Sequence, residues 1–282
     1  MKKLSGILLF LLFFSNPLFA GGWTFAVLSD PHDNSPAYES VLEEIKTMRA
    51  NLPPTFEPAD FVVVCGDMHP VSEFDRVFRA FFPGDTPAFF PVRGNHEKPD
   101  DVRYILRKIL PRSEKKAVLF DAGRENVNYY VDWKNVRLIV LEPYWSSSKS
   151  LGVFPALKWV ERALETAGAF EHVFVAFHRP YFPQEPRTDP FWSLLLKHAD
   201  QVKAVFNGHI HKFDRRRFPA EPGGICCINL GNSGATGHGD GRRTVVEVRV
   251  DGPKVLFRAI RTPDGERKFE LKDQWRPSRA DS

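Results

Sequence analysis

Five apolar runs in this chain end alike. Residues 24–28, 61–64, 88–92, 173–177 and 204–206 carry almost no polar side chain, and each run stops at Asp, Asn or His. A short run without polar alternation predicts a strand buried on both faces, as in layered α/β sheets. The stops are Asp30 with His32, Asp67, Asn95 with His96, His178, and His209 with His211. In open α/β sheets, ligands bind beyond the carboxyl ends of strands. Five such strands side by side would gather every one of these groups at one mouth. Taken singly, each stop has a plainer explanation, since Gly66-Asp67 and Gly94-Asn95 are ordinary turn chemistry. Their joint occurrence, in this order and each after a strand, carries the argument.

The intervening sequence fits the same plan. Ser35-Pro36 predicts a helix start, with Val41, Leu42, Ile45 and Met48 at helical spacing behind it. A second helix is predicted from Ser72 with Asp75 as its capping acid. Others are predicted over 100–110, 155–166 and 191–198. Strands are predicted at 116–120, 126–131 and 136–141, with a Lys134-Asn135 turn, and later at 225–230, 244–250 and 254–260. Alternating strands and helices first, then hairpins, predict two mixed sheets face to face with helices outside. Residues 21–282 read as one domain, with 276–282 a frayed tail.

The first twenty residues read as a signal peptide. Lys2 and Lys3 precede the apolar stretch 7–14, and Leu18-Phe19-Ala20 offers a cleavage site within a few residues. An uncleaved anchor is the alternative, but the stretch is short for a span. The expected address is periplasmic or extracellular, with no membrane span in the mature chain. About 260 residues remain, enough for one large core. Without the two lysines the net charge falls from +4 to +2, which gives nucleic-acid binding no compositional support. The run Arg215-Arg216-Arg217 reads as a solvated edge. Cys65 reads as a buried thiol. Cys226 and Cys227 are expected on alternate faces of a strand, since a bridge between neighbours is strained.

Setting His96 aside, the polar stops supply two carboxylates, one amide oxygen and four imidazoles. That mixture suits Mn, Fe or Zn better than calcium. Seven donors are too many for one tetrahedral ion and enough for two ions sharing a carboxylate. The spacings Asp30-x-His32 and His209-x-His211 would aim both members the same way in extended backbone. His96 is free to carry a proton. Glu97 either orients or charge-balances that imidazole, or caps a turn.

In this order the motifs resemble the calcineurin-like metallophosphoesterase superfamily: Asp30-Pro31-His32, Gly66-Asp67, Gly94-Asn95-His96-Glu97, His178 and Gly208-His209-Ile210-His211. The resemblance spans about residues 24–230. It implies a four-layer α/β/β/α sandwich with a two-metal centre. It further implies that Asp30, His32 and His211 hold one ion, that Asn95, His178 and His209 hold the other, and that Asp67 bridges them. The expected reaction is hydrolysis of phosphomonoesters or phosphodiesters by a metal-bridging hydroxide, with His96 protonating the leaving group. The substrate is a small or macromolecular phosphoester. Two other readings stand beside it: hydrolysis of a pyrophosphate bond in nucleotides or lipid precursors, and a non-catalytic binding protein on the same fold. The chain departs from the pattern after Gly66-Asp67, where Met68-His69 replaces a further acid; His69 reads as an exposed loop residue, with a reach into the site as the alternative. Phe177 stands where some cyclic-nucleotide phosphodiesterases of the superfamily have a second histidine. Arg179, Tyr144, Trp145 and the glycine-rich run 231–241 with His238 lie on loops that can reach substrate or serve structure alone.

Overall fold

The computed structural model describes residues 21–84, 87–114, 117–119, 126–142, 157–236, 239–263 and 268–277. Expectations for the first twenty residues, Tyr144, Trp145, His238 and the tail beyond 277 lie outside the described residues. Within them, one six-stranded and one seven-stranded sheet lie between helices.

The first sheet is built on three parallel strands: β1 (Gly22–Leu28), β2 (Phe56–Cys65) and β3 (Ala88–Val92). In the second, β4 (Val118–Leu119), β5 (Tyr129–Trp133) and β6 (Val136–Val140) form an antiparallel flank. β7 (His172–Ala176), β8 (Val202–Asn207) and β10 (Ile225–Leu230) then run parallel beside β6, and β9 (Phe213–Phe218) pairs antiparallel at the edge. β11 (Thr244–Asp251), β12 (Lys254–Arg261) and β13 (Glu270–Trp275) return to the first sheet, giving the order β13-β12-β11-β1-β2-β3.

The apolar runs are explained by double burial. On β7, Phe174 and Ala176 face the core between the sheets, while Val173 and Val175, with Phe177 just beyond the strand, belong to a second core on the far side. That second core is closed by α4 (Leu157–Glu165) and α5 (Pro190–Lys197) through Val160, Leu164, Phe191 and Trp192. The first core holds Phe25, Phe61, Phe174 and Phe206 between the sheets. It extends to α1 (Ser35–Thr47), α2 (Val71–Phe81) and α3 (Pro99–Tyr104) on the other side. The result is the expected four-layer α/β/β/α order.

Several local expectations shift. The α1 cap is Asn34, whose side chain accepts from the Ala37 amide, one residue before the expected Ser35. Asp75 is no capping acid. Fully buried on α2, it takes a bidentate pair from Arg112 and a hydrogen bond from the Tyr104 hydroxyl at 2.9 Å. The third helix continues past Tyr104 as a π turn and then a 3₁₀ turn ending at Arg112, which delivers that arginine to Asp75. Strands β9 and β13 escape the sequence pattern because both are sheet edges. Edges tolerate charge and break apolar alternation. Arg215 of β9 pairs with Asp273 of β13 at 2.5 Å and stacks on Trp275, so the arginine run does lie on an edge. Cys227 is buried and Cys226 half-buried, both as free thiols.

Asp75→Ala removes from a buried site the acceptor that Arg112 and Tyr104 share, while Arg112 retains some access to water. Urea unfolding should show a loss of about 2–3 kcal/mol. A loss below about 0.5 kcal/mol, the level of an ordinary surface substitution, would contradict the anchoring role.

Candidate metal centre

The chain leaves β1, β2 and β8 through left-handed backbone, and these turns help the donors converge. Asp30, His32, Asp67, His209 and His211 all have positive φ, between 50° and 74°. Left-handed backbone costs a non-glycine residue about 1–3 kcal/mol and tends to cluster at functional sites. The extended-backbone expectation for the two i, i+2 pairs is therefore wrong. Its consequence fails too for the second pair: His209 and His211 turn to different partners.

Two clusters form. In one, His211 Nε2 lies 3.2 Å from Asp30 Oδ1 and 3.0 Å from His32 Nε2. His32 Nε2 in turn is 3.8 Å from Asp67 Oδ2. In the other, His178 Nε2 lies 3.2 Å from Asp67 Oδ2 and 3.1 Å from Asn95 Oδ1, and His209 Nδ1 is 2.9 Å from that same amide oxygen. Asp67 belongs to both clusters. Its Oδ1 accepts from the His96 backbone N–H at 3.0 Å, leaving Oδ2 to face both groups.

The donor set fits cations. His178 Nδ1 is 2.7 Å from the Cys65 carbonyl, an acceptor only, so the ring proton sits there and the Nε2 lone pair faces inward. It meets oxygen lone pairs on Asn95 and Asp67. His32 and His211 likewise oppose ring nitrogen to ring nitrogen. Such a convergence of acceptors needs protons or metal ions between them. Protons respond accordingly. Burial disfavours a charged His178, but the Asp67 carboxylate outweighs it and lifts His178 to about 9. Burial, with the charges of His178 and Arg179, pushes His209 down to about 4. Burial also lowers His32. Asp67, despite burial, is held below the usual carboxylate range by His178.

Glycines make the close approach possible. A Cβ on Gly94 would overlap the Asp67 carboxylate, and one on Gly208 would overlap Ser29 and Asp30. Gly66, at φ 87°, packs against both His178 and Gly94.

His96 joins neither cluster. Its side chain is 53% exposed, its Nε2 is 3.9 Å from Asp67 Oδ2, and its ring meets His32 edge-on at 4.7 Å. It therefore stands at the open rim. Glu97 turns away from that imidazole. Its Oε2 accepts from the backbone N–H of Asp67 at 3.2 Å and of Gly94 at 2.7 Å, and its Oε1 accepts from Met68. Of the two roles open to Glu97, these contacts are those of the cap. The carboxylate staples the loop after β2 to the loop after β3. Burial and the Asp67 charge push it up to about 7, against the pull of the Met68 and Gly94 amides. His69 is not a free loop residue either: Nδ1 is 2.7 Å from Asp101 Oδ2, and Asp101 Oδ1 accepts from the Val71 amide. Sequence reasoning also missed Ser29, whose hydroxyl is 2.6 Å from Asp30 Oδ2. A serine beside a strand-end aspartate carries no periodic signal.

No helix among the described residues is long and apolar enough to cross a membrane. A family model described as calcineurin-like phosphoesterase matches residues 24–213. No curated protein sequence matches the chain. Similar solved structures include wild-type Vps29 complexed with zinc from Entamoeba histolytica, at 12% identity and TM-score 0.44, covering 90% of this chain and 99% of that chain. TT1561 of Thermus thermophilus matches at 13% identity and TM-score 0.48, covering 89% of this chain and 98% of that chain. A putative 5'-nucleotidase from Staphylococcus aureus in complex with alpha-ketoglutarate matches at 17% identity and TM-score 0.47, covering 91% of this chain and 54% of that chain.

The staple can be tested without metal. Glu97→Gln keeps the shape but turns an NH₂ donor toward a backbone N–H. With chelator present, urea unfolding should show a loss of about 1–3 kcal/mol. Unchanged stability would mean that the three amides do not depend on the carboxylate.

Proposed function

The chain belongs to the calcineurin-like phosphoesterase family, and on that premise we propose that it is an exported, dinuclear-metal hydrolase of phosphoric mono- or diesters. The carrying observation is the sharing of Asp67 Oδ2 between two donor clusters, with an exposed imidazole at their edge. Asp30, His32 and His211 would hold one ion, and Asn95, His178 and His209 the other. Asp67 would serve both. The mixed oxygen and nitrogen donors favour Mn, Fe or Zn. When bound, such ions supply a nucleophilic water near neutral pH and offset charge on the phosphoryl oxygens.

The side chains have separate tasks. Asp67 offers one oxygen to the centre because the other is tied to the backbone of residue 96. His178 is held in one tautomer by the Cys65 carbonyl, so its lone pair stays aimed at the centre. His96, exposed and within 3.9 Å of Asp67, is free to deliver a proton to the departing oxygen of a substrate at the rim. Monoesters, diesters and pyrophosphate linkages all present such an oxygen. A panel of bis-p-nitrophenyl phosphate, p-nitrophenyl phosphate, cyclic nucleotides and nucleotide sugars, each with Mn, Fe and Zn, separates them.

His96→Ala should fold, keep its metal, and lose about 10²–10⁴-fold in turnover on esters with a poor leaving group, with a smaller loss on nitrophenyl esters. Asp67→Asn should lose metal as well as activity. Full metal content by elemental analysis in Asp67→Asn, or equal losses of His96→Ala on both ester types, would overturn these roles. Export rests on residues 2–20. Intact mass of protein recovered outside the cytoplasm should begin within a few residues of Gly21; a chain still beginning at Met1 would contradict it.

A further inference from the structure

Asp30 uses its two carboxylate oxygens differently. Oδ1 faces the cluster, 3.2 Å from His211 Nε2 and 4.0 Å from His32 Nε2. Oδ2 is tied back. It lies 2.6 Å from Ser29 Oγ and is the nearer acceptor, at 2.9 Å, of the His209 backbone N–H, which also reaches Oδ1 at 3.2 Å. Ser29 is fully buried, and its single proton has two acceptors in reach: Asp30 Oδ2 and the Cys65 carbonyl at 2.7 Å. That carbonyl already accepts from His178 Nδ1. A carboxylate draws a hydroxyl proton more strongly than a neutral carbonyl that is already served, so Ser29 donates to Asp30. Gly208 closes the slot from the opposite side, where any Cβ would overlap both Ser29 Oγ and Asp30 Oδ2. The carboxylate is therefore gripped on one edge by a hydroxyl, an amide and a backbone wall.

We propose that Ser29 is a positioning residue that keeps Asp30 one-toothed and thereby biases the Asp30–His32–His211 cluster toward small first-row ions and against calcium. The proposal rests on the metal-dependent reading above. Calcium seeks 6–8 oxygen ligands and commonly takes both oxygens of a carboxylate. With Ser29 and the His209 amide both on Oδ2, its two lone pairs are taken, and a second contact to the ion must displace one of these donors. Mn, Fe and Zn accept one oxygen alongside imidazole nitrogens. Without the hydroxyl, Oδ2 keeps only the His209 amide, and the side chain gains freedom to rotate both oxygens inward.

The test uses chelator-stripped full-length protein, titrated separately with Mn²⁺ and Ca²⁺ by calorimetry. Urea unfolding of the metal-free form runs alongside. Wild type should take up Mn²⁺ far more tightly than Ca²⁺. Ser29→Ala should lose about 10–100-fold in Mn²⁺ affinity at one of the two sites, the usual scale for residues that orient a ligand. Its Mn²⁺-to-Ca²⁺ affinity ratio should narrow. Ser29→Thr, which keeps the hydroxyl, should hold the wild-type ratio; if it fails to fold, the alanine variant decides. Unchanged Mn²⁺ affinity and ratio in Ser29→Ala would overturn this proposal alone. Equal weakening of both sites and both ions, together with a less stable metal-free fold, would also overturn it, since the hydroxyl would then be structural only. Absence of Mn²⁺ uptake by wild type would overturn the metal-dependent reading with it.

Discussion

Electron pairs facing one another dominate this structure. The inward nitrogen of His178 lies within about hydrogen-bond distance of Asp67 Oδ2 and Asn95 Oδ1, and without a cation only a proton on that ring separates them. On the other side, His32 and His211 oppose nitrogen to nitrogen beside Asp30. Burial makes such opposition costly unless positive charge intervenes. A fold that holds Asp30, His32, Asp67, His209 and His211 in left-handed backbone bears strain for which packing alone gives no reason.

The rest of the molecule answers the question of how that strain is borne. The five strands leading into the site are buried on both faces by two cores, so their ends cannot drift. Backbone groups then fix the ligands. The Cys65 carbonyl sets the His178 tautomer, the His96 amide ties one Asp67 oxygen, and the His209 amide holds the Asp30 carboxylate. Glu97 binds the β2 and β3 loops to each other through three amides. Side chains at the centre are thus oriented mostly by main chain, which explains why three glycines stand where any Cβ would collide. His96 is the exception, its side chain open to solvent.

Much of this is legible in the order of residues. Uninterrupted apolar runs mark the doubly buried strands, and their polar stops supply every member of the two clusters. The geometry separates His209 from His211, each in its own cluster. What stays hidden follows physical lines. The edge strands β9 and β13 carry charge where alternation is expected, because edges need charge more than they need apolar faces. Asp75 reads as a cap because three-residue spacing is a local signal, whereas its partner Arg112 is distant in sequence. Ser29 and the Glu97 staple depend on contacts between separate loops, which no local pattern encodes. The left-handed turns are hidden because Asp and His tolerate that backbone without the glycine that would announce it.

The sharing of Asp67 between two ions is the claim on which the account turns. Electron paramagnetic resonance of protein reconstituted with Mn²⁺ tests it directly. Two ions flanking one carboxylate oxygen should give the broad, exchange-coupled spectrum of a spin-paired manganese couple at full loading. An isolated six-line signal that persists at every loading, with no coupled species, would contradict it.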